Sequence, residues 1–491
     1  MNQSVGGHII GAVSTDPPES DSNNEPDATA DPVALAPPRL RRAVRDRVEL
    51  IERDLDSLIA HDHPVRDVWH FVQSMDLEPL TRSIKSRQGR LGNPATDPAI
   101  LVALWLWATI DGLGSARRLA RLCREHDVYR WICGGVGTNH HTLSDFRTAH
   151  PDWLDAQLVR SVAVLLDAGL ITLETISQDG MRVRARAKAS SFRRRPTLEA
   201  HLIEAEQRVR ALRAEMDSGD GGAAEARRRA ARRRAATERL ERLEAALIQM
   251  HQLEHERAAC APTPGPDDDD PSDNGNGNGN GNGGGGGAKK AKSHKRSEQL
   301  RVSTTDAQAR RMKMGDGGYR PAFNVQLAVE TRTQLIVALD VVGCGTDAGQ
   351  MQPMYERVRA GYGRTPRSWL VDGGFVNLAG IGALGAHGTE VIAPRPASRK
   401  AETDPAARKR GDSDAVAAWR ERMDTERAKA LYRLRGATVE CANAQGRRRG
   451  LLQFASYGTV KARCEVLWQA LAQYVTRCRA LGFTEVAMPV S

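Results

Sequence analysis

Three acidic residues, far apart in the chain, carry the chemistry that this sequence best supports. Asp179 lies in ISQDGMRVRAR, Asp372 in WLVDGGF and Glu440 in YRLRGATVE. Phosphoryl transfer with two divalent ions needs carboxylates that bridge both ions and hold them about 3.5–4 Å apart. Magnesium prefers hard oxygen ligands and keeps waters for the nucleophile and the leaving group. Two Asp on neighbouring strands and one acid on a following helix supply that donor set. Each acid also has a plain structural reading. Asp179-Gly180 is a hairpin dipeptide, Asp372 before two glycines suits a turn, and Glu440 alone is an ordinary surface charge. Asp340, Asp347, Glu421 and Glu426 compete for the same roles on spacing alone.

Basic residues follow the first acid at Arg182, Arg184 and Arg186. The stretch TNHHTLSDFRTAH, 138–150, follows a Gly-rich turn and predicts a short helix capped by Thr142 or Ser144. Adjacent His140 and His141 cannot face one metal ion from a helix without strain. A helix N-terminus whose Thr, His141 and Arg147 touch phosphate is the better reading.

The elements that must position these residues follow from periodicity. Apolar steps of four and three predict helices over 39–61 and 65–75. Asp97-Pro98 marks a helix start, followed by a buried helix over 99–110 and an amphipathic one over 115–126. Residues 171–186 are β-like. From Leu198 a heptad-type stripe runs through Leu202, Ala205, Val209, Leu212 and Met216, and it resumes at Leu240, Leu243, Leu247 and Met250. That pattern predicts a helical hairpin or coiled-coil arm, with six arginines between Arg227 and Arg234. Strands are expected over 322–329, 335–342, 367–372 and 391–393, and helices over 348–360, 415–435 and 460–481. The polar stretch CANAQGRRRG after Glu440 argues against a continuous helix there.

These elements predict an α/β catalytic domain with a mixed sheet over 171–196 and 300–481, preceded by an all-helical domain over 38–170. The arm, 197–258, and a Gly/Asn-rich linker with a basic patch, 259–299, are inserted between its first and second strands. The polar tail 1–37 and the linker predict disorder. Lys+Arg 71 against Asp+Glu 61 gives a net charge of +10 and favours a polyanionic partner, nucleic acid first. The seven cysteines form no C-x-x-C pair, and reduced thiols in a cytoplasm are expected. No signal peptide or transmembrane run is read, so no membrane association is expected.

Several segments together resemble a DDE-type transposase of a bacterial insertion sequence, in the branch with a Tyr-Arg-Glu-Lys signature. ISQDGMRVRARA resembles the first-Asp strand, 303–330 the block leading into the next strands, and WLVDGGFVN the second-Asp block. Tyr432, Arg435, Glu440 and Arg447 resemble the signature, with four residues between Arg and Glu and with Arg447 in the place of Lys. GRLGNPATDPAILVALWLWATIDGLGSARRLARL and HHTLSDFR resemble the family's N-terminal domain. The resemblance implies a ribonuclease-H-like core in which Asp179, Asp372 and Glu440 bind two Mg²⁺, with Mn²⁺ as a substitute. It implies that Tyr432, Arg435 and Arg447 hold terminal DNA phosphates. It also implies that the helical domain recognises terminal inverted repeats in double-stranded DNA. Target DNA, a homodimer in the synaptic complex and a nucleoid-associated cytoplasmic location complete the expectation. A decayed, DNA-binding descendant and a coiled-coil scaffold are the alternatives.

Overall fold

In the computed structural model, residues 52–86, 93–217, 223–259, 300–396 and 404–488 are described. The described residues from Arg53 onward form one compact unit. The expected tail, linker and basic patch, and most of the 39–61 helix, lie outside the described residues. The described end of that helix holds only a 3-10 turn, Asp56–Leu58.

The sheet is built on a long strand whose inward side is apolar at almost every position. Strands are β1 (Thr175–Arg184), β2 (Phe192–Arg193), β3 (Val302–Ser303), β4 (Arg310–Lys313), β5 (Tyr319–Glu330), β6 (Ile336–Val342), β7 (Ser368–Leu370) and β8 (Glu390–Ile392). The six-stranded sheet runs β4-β5-β1-β7-β8, with β6 also on β5. β5 is antiparallel to β1, β4 and β6, whereas β7 is parallel to β1 and to β8. The expected hairpin between β5 and β6 is present. β4 was not legible in the sequence. It has only four residues, of which Met312 alone is buried.

The helices before the sheet are α1 (Val65–Gln73), α2 (Glu78–Arg82), α3 (Pro98–Ile110), α4 (Ala116–Glu125), α5 (Asp127–Cys133), α6 (His140–Ala149) and α7 (Pro151–Asp167). Asp97 caps α3 by accepting from the Ala99 N–H. α3 is apolar on all sides, and eleven of its residues are buried, which is how such a helix avoids water. The cap of α6 is Asn139, not Thr142 or Ser144. Its carbonyl oxygen takes the Thr142 N–H, one of the orphan donors at a helix start.

The arm is α8 (Arg195–Asp217) and α9 (Ala223–Ala259), packed on each other along the expected stripe. Leu198, Ala205, Leu243, Ala246 and Met250 are buried between them. The later helices are α10 (Met351–Tyr362), α11 (Leu378–Gly385), α12 (Asp414–Arg422), α13 (Glu426–Arg448), α14 (Thr459–Leu481) and α15 (Thr484–Ala487). The expected 415–435 helix is two helices, parted where Thr425 caps a new one by accepting from the Ala428 N–H. α13 then runs unbroken past Glu440, contrary to the reading of CANAQGRRRG. Thr438, Val439, Ala442 and Asn443 are buried against the sheet, and that burial outweighs the low helix propensity of Gly446.

α14 joins the two halves. It packs against α3, α6 and α7 on one side and β6 on the other. Leu467, Trp468, Leu471 and Tyr474 are buried along it, each adding about 1.5–3 kcal/mol by burial. The hydrophobic core therefore runs without a break from the helical block into the sheet.

Candidate active site

Side chains alternate across a strand, so β1 presents Ser177, Asp179 and Met181 to one face and Gln178, Gly180 and Arg182 to the other. α13 covers the Asp179 face. The parallel register of β1 and β7 pairs Ser177 with Leu370. Two residues further along each chain, Asp179 and Asp372 come level. Asp372 sits just past the end of β7, where its carboxylate accepts the Gly374 N–H at 2.8 Å. Such a position, beyond the carboxyl ends of parallel strands and beside a change in strand direction, is where α/β sheets bind ligands.

All three acids converge on one cation. Arg435 Nη2 is 2.8 Å from Asp179 and 3.6 Å from Asp372, and Nη1 is 3.2 Å from Glu440. Residues separated by most of the catalytic region are thus gathered on a single guanidinium. The other Asp179 oxygen accepts from Asn443 Nδ2 at 2.8 Å. Burial pushes the Asp179 carboxyl above the usual range, the Arg435 charge pulls it back, and Asp372 adds to the rise. Two buried polar atoms at this site have no partner, Arg435 Nε and Asn443 Oδ1.

Among the described residues, no three His, Cys, Asp or Glu side chains stand close enough together to hold a metal ion. The donor chemistry nevertheless fits a hard divalent cation. Three carboxylates face one guanidinium, which leaves two charges uncompensated when all are ionised. That is the deficit such a cation answers.

Three of the four competing acids are engaged elsewhere. Asp340 pairs with Arg357 and Arg463, and Glu426 pairs with Lys429. Asp347 lies on the opposite face of β1, accepting from Asn324 at 2.7 Å and Gln326 at 2.8 Å. It lies so close to Gly180 that a β-carbon there would overlap its carboxylate. Glycine beside Asp179 is thus a packing requirement, and the dipeptide lies within strand β1, as expected, rather than in the hairpin turn it would suggest on its own.

The expected DNA contacts are scattered. Tyr432 packs against Leu370, Ile392 and Ala428. Arg447 is exposed in the last turn of α13, Arg184 is exposed on β1, and His141 is exposed in the first turn of α6. Arg182 donates to the Gly345 carbonyl at 3.0 Å. Arg147 is committed inside the protein. It donates to the Gly114 carbonyl at 2.8 Å, pairs with buried Glu465 at 3.0 Å and lies over the Trp105 ring.

Sequence reasoning missed Asn443 and the Asn324/Gln326 pair. The signal for the first was the i, i+4, i+8 stripe from Arg435 through Val439. For the second it was the alternating polar positions inside AFNVQLAV, on the strand face that carries Gly180.

No helix among the described residues is long and apolar enough to cross a membrane. No curated protein and no solved structure gives a match to the chain. Residues 53–149, from the turn before α1 to the end of α6, match the family model described as Transposase domain (DUF772). That match supports a transposase.

Proposed function

We propose that the chain is a DDE-type transposase with a ribonuclease-H-like core, which cuts and joins DNA strands at the ends of its element. The observation that carries this reading is the meeting of Asp179, Asp372 and Glu440 on Arg435. The strand arrangement supports it: an antiparallel β6-β5-β1 set continued by parallel β7 and β8.

Asp179, Asp372 and Glu440 would hold two Mg²⁺ or Mn²⁺ ions. Bound there, such ions supply an activated water or 3′-hydroxyl and charge stabilisation at the leaving oxygen. The chain's own residues do the rest. Asn443 and the Gly374 N–H fix the orientation of the two aspartates. Arg435 neutralises the acids until a DNA phosphate presents a better partner, a guanidinium being well matched to phosphate oxygens. Arg447 and Arg184 are exposed and free to meet the backbone, while Arg147 is a packing residue and is left out of the DNA face. The helical block would recognise the terminal inverted repeats, and two chains would pair the ends.

The test is strand cleavage, with Mg²⁺, of DNA carrying the inverted repeats that flank the reading frame. Asp179→Asn, Asp372→Asn and Glu440→Gln are each expected to abolish cleavage and leave end binding intact. Full cleavage by Asp372→Asn would sink the assignment. A decayed transposase that only binds DNA is the second reading, favoured by the arginine standing where ions would sit. It is selected if the wild-type chain binds these ends and never cuts them.

A further inference from the structure

The base of the arm meets β4 and the start of β5 around two adjoining cavities, each of about 490 Å³. Five arginines line the first, Arg194, Arg257, Arg301, Arg310 and Arg311, with Tyr319 beside them. The second shares Arg310 and Arg311 and reaches Gly345. Arg194, Arg301 and Arg311 are exposed, and among the described residues none of the three has an acidic partner. Arg310 is half-buried and spends one nitrogen on the Ala307 and Ala309 carbonyls. Glu256, in the wall of the second cavity, answers part of the Arg310 charge; the crowding of the three exposed arginines works against folding unless a further anion answers it. Tyr319 is 60% exposed, and its ring offers a face for stacking on a base or packing on a sugar. In the sequence, Lys289, Lys290, Lys292, Lys295 and Arg296 come shortly before Arg301.

We propose that this cleft binds the phosphodiester backbone of duplex DNA, on the stretch that runs on from the cutting site. The inference rests on the transposase reading above. Tyr319 lies eight residues before Leu327, the partner of Asp179 across the ladder. At about 3.3 Å per residue that is roughly 26 Å of strand. Duplex DNA covers this in about eight base pairs at 3.4 Å each. Tyr319 is an even number of residues from Leu327 and so lies on the Asp179 face of the sheet, which sets the acids and the Tyr319 edge of the arginine cleft along one face. Phosphate contacts fix register and orientation without reading sequence, which suits a surface of arginines and one aromatic ring.

The experiment measures binding of the full chain to a fluorescent duplex of arbitrary sequence, about 30 base pairs long to exceed the roughly eight-pair span. Divalent ions are chelated so that no cutting occurs, and salt is varied. The Arg194→Ala/Arg301→Ala/Arg311→Ala variant is expected to bind at least about tenfold more weakly, with a salt slope shallower by about 2–3, near 0.9 per lost phosphate contact. The corresponding triple Lys variant is expected to keep the slope, since lysine still meets phosphate as a point charge. Wild-type affinity and slope in the Ala variant would overturn the cleft as a DNA site and leave the transposase reading standing. Equal loss in the Lys and Ala variants would overturn it too, because it would assign the guanidinium groups a structural role. Failure of the wild-type chain to bind any duplex at low salt would remove the transposase reading itself.

Discussion

Arg435 does by itself what three separate counter-ions would otherwise do. It is 11% exposed, so its charge is spent almost wholly on the three acids. Replacing it by Ala leaves Asp179 buried beside Asp372 with no nearby cation. Breaking one side of a buried ion pair costs about 3–5 kcal/mol. Arg435→Ala is therefore expected to melt earlier than wild type without divalent ions. Added Mn²⁺ is expected to restore more stability to it than to wild type, since the competing cation is gone. Thermal melts with and without Mn²⁺ read both effects, and an identical ion response in the two proteins would refute the competition. Much of this site was legible in the residues themselves. Asp179 and Asp372 stood out as acids in or just after strand-like runs, whereas Glu440 read alone as a surface charge and was picked out only by its place in the signature. Asn443 was not, because an amide inside a polar stretch has no signature until the helix that aims it is known.

At the scale of elements, α14 and α6 are held together by charge as well as apolar contact. Arg147 bridges them through Glu465, which also accepts from the Ala455 and Ser456 N–H groups. Arg147→Ala is expected to cost about 3–5 kcal/mol of stability. DNA affinity at a temperature where the variant is folded is expected to stay within about twofold. Loss of affinity without loss of stability would return Arg147 to the DNA face. A second buried pair anchors the start of α12, where Asp412 accepts from Arg420 at 2.8 Å. The Arg420 hydrogen bond holds the Asp412 carboxyl below its ordinary value. A depressed carboxyl contributes stability above its unfolded value and loses it as pH falls through the folded one. Asp412→Asn is thus expected to melt earlier than wild type at pH 7, with the difference closing below about pH 4. Melting curves across that range check the sign. Helices with a clear apolar pattern, all round in α3 and as a stripe in the arm, were readable in advance. The run of α13 past Gly446 was not, because burial against β1 decides it and local propensity points the other way.

At the scale of the molecule, one core spans the helical block and the sheet. The block that matches a transposase domain and the acids of the candidate site therefore belong to one body. On the proposed reading, a DNA end held by the block would have a fixed relation to Asp179, Asp372 and Glu440. The arm stands outside that core and has its own small cluster of Leu198, Leu243, Ala246, Met250 and Val302. This division was partly legible. The switch from α/β patterning to a heptad stripe at Leu198 marked the arm. The placement of β1 between β5 and β7 could not be seen, because nothing local to a strand names its neighbours.

The two-residue ladder of β2 and β3 closes the base of that arm. Phe192 pairs with Ser303 and Arg193 with Val302, antiparallel. The chain leaves the sheet and returns to it at adjacent points, as in a β-hairpin with an outsized tip. To the sheet, the whole excursion is topologically a turn. A tight turn of about two residues joining Arg193 to Val302 would restore an ordinary hairpin. The fold is thus modular at this seam. On the proposed reading, a longer, shorter or different attachment could be exchanged there, changing the grip on DNA without disturbing the acids.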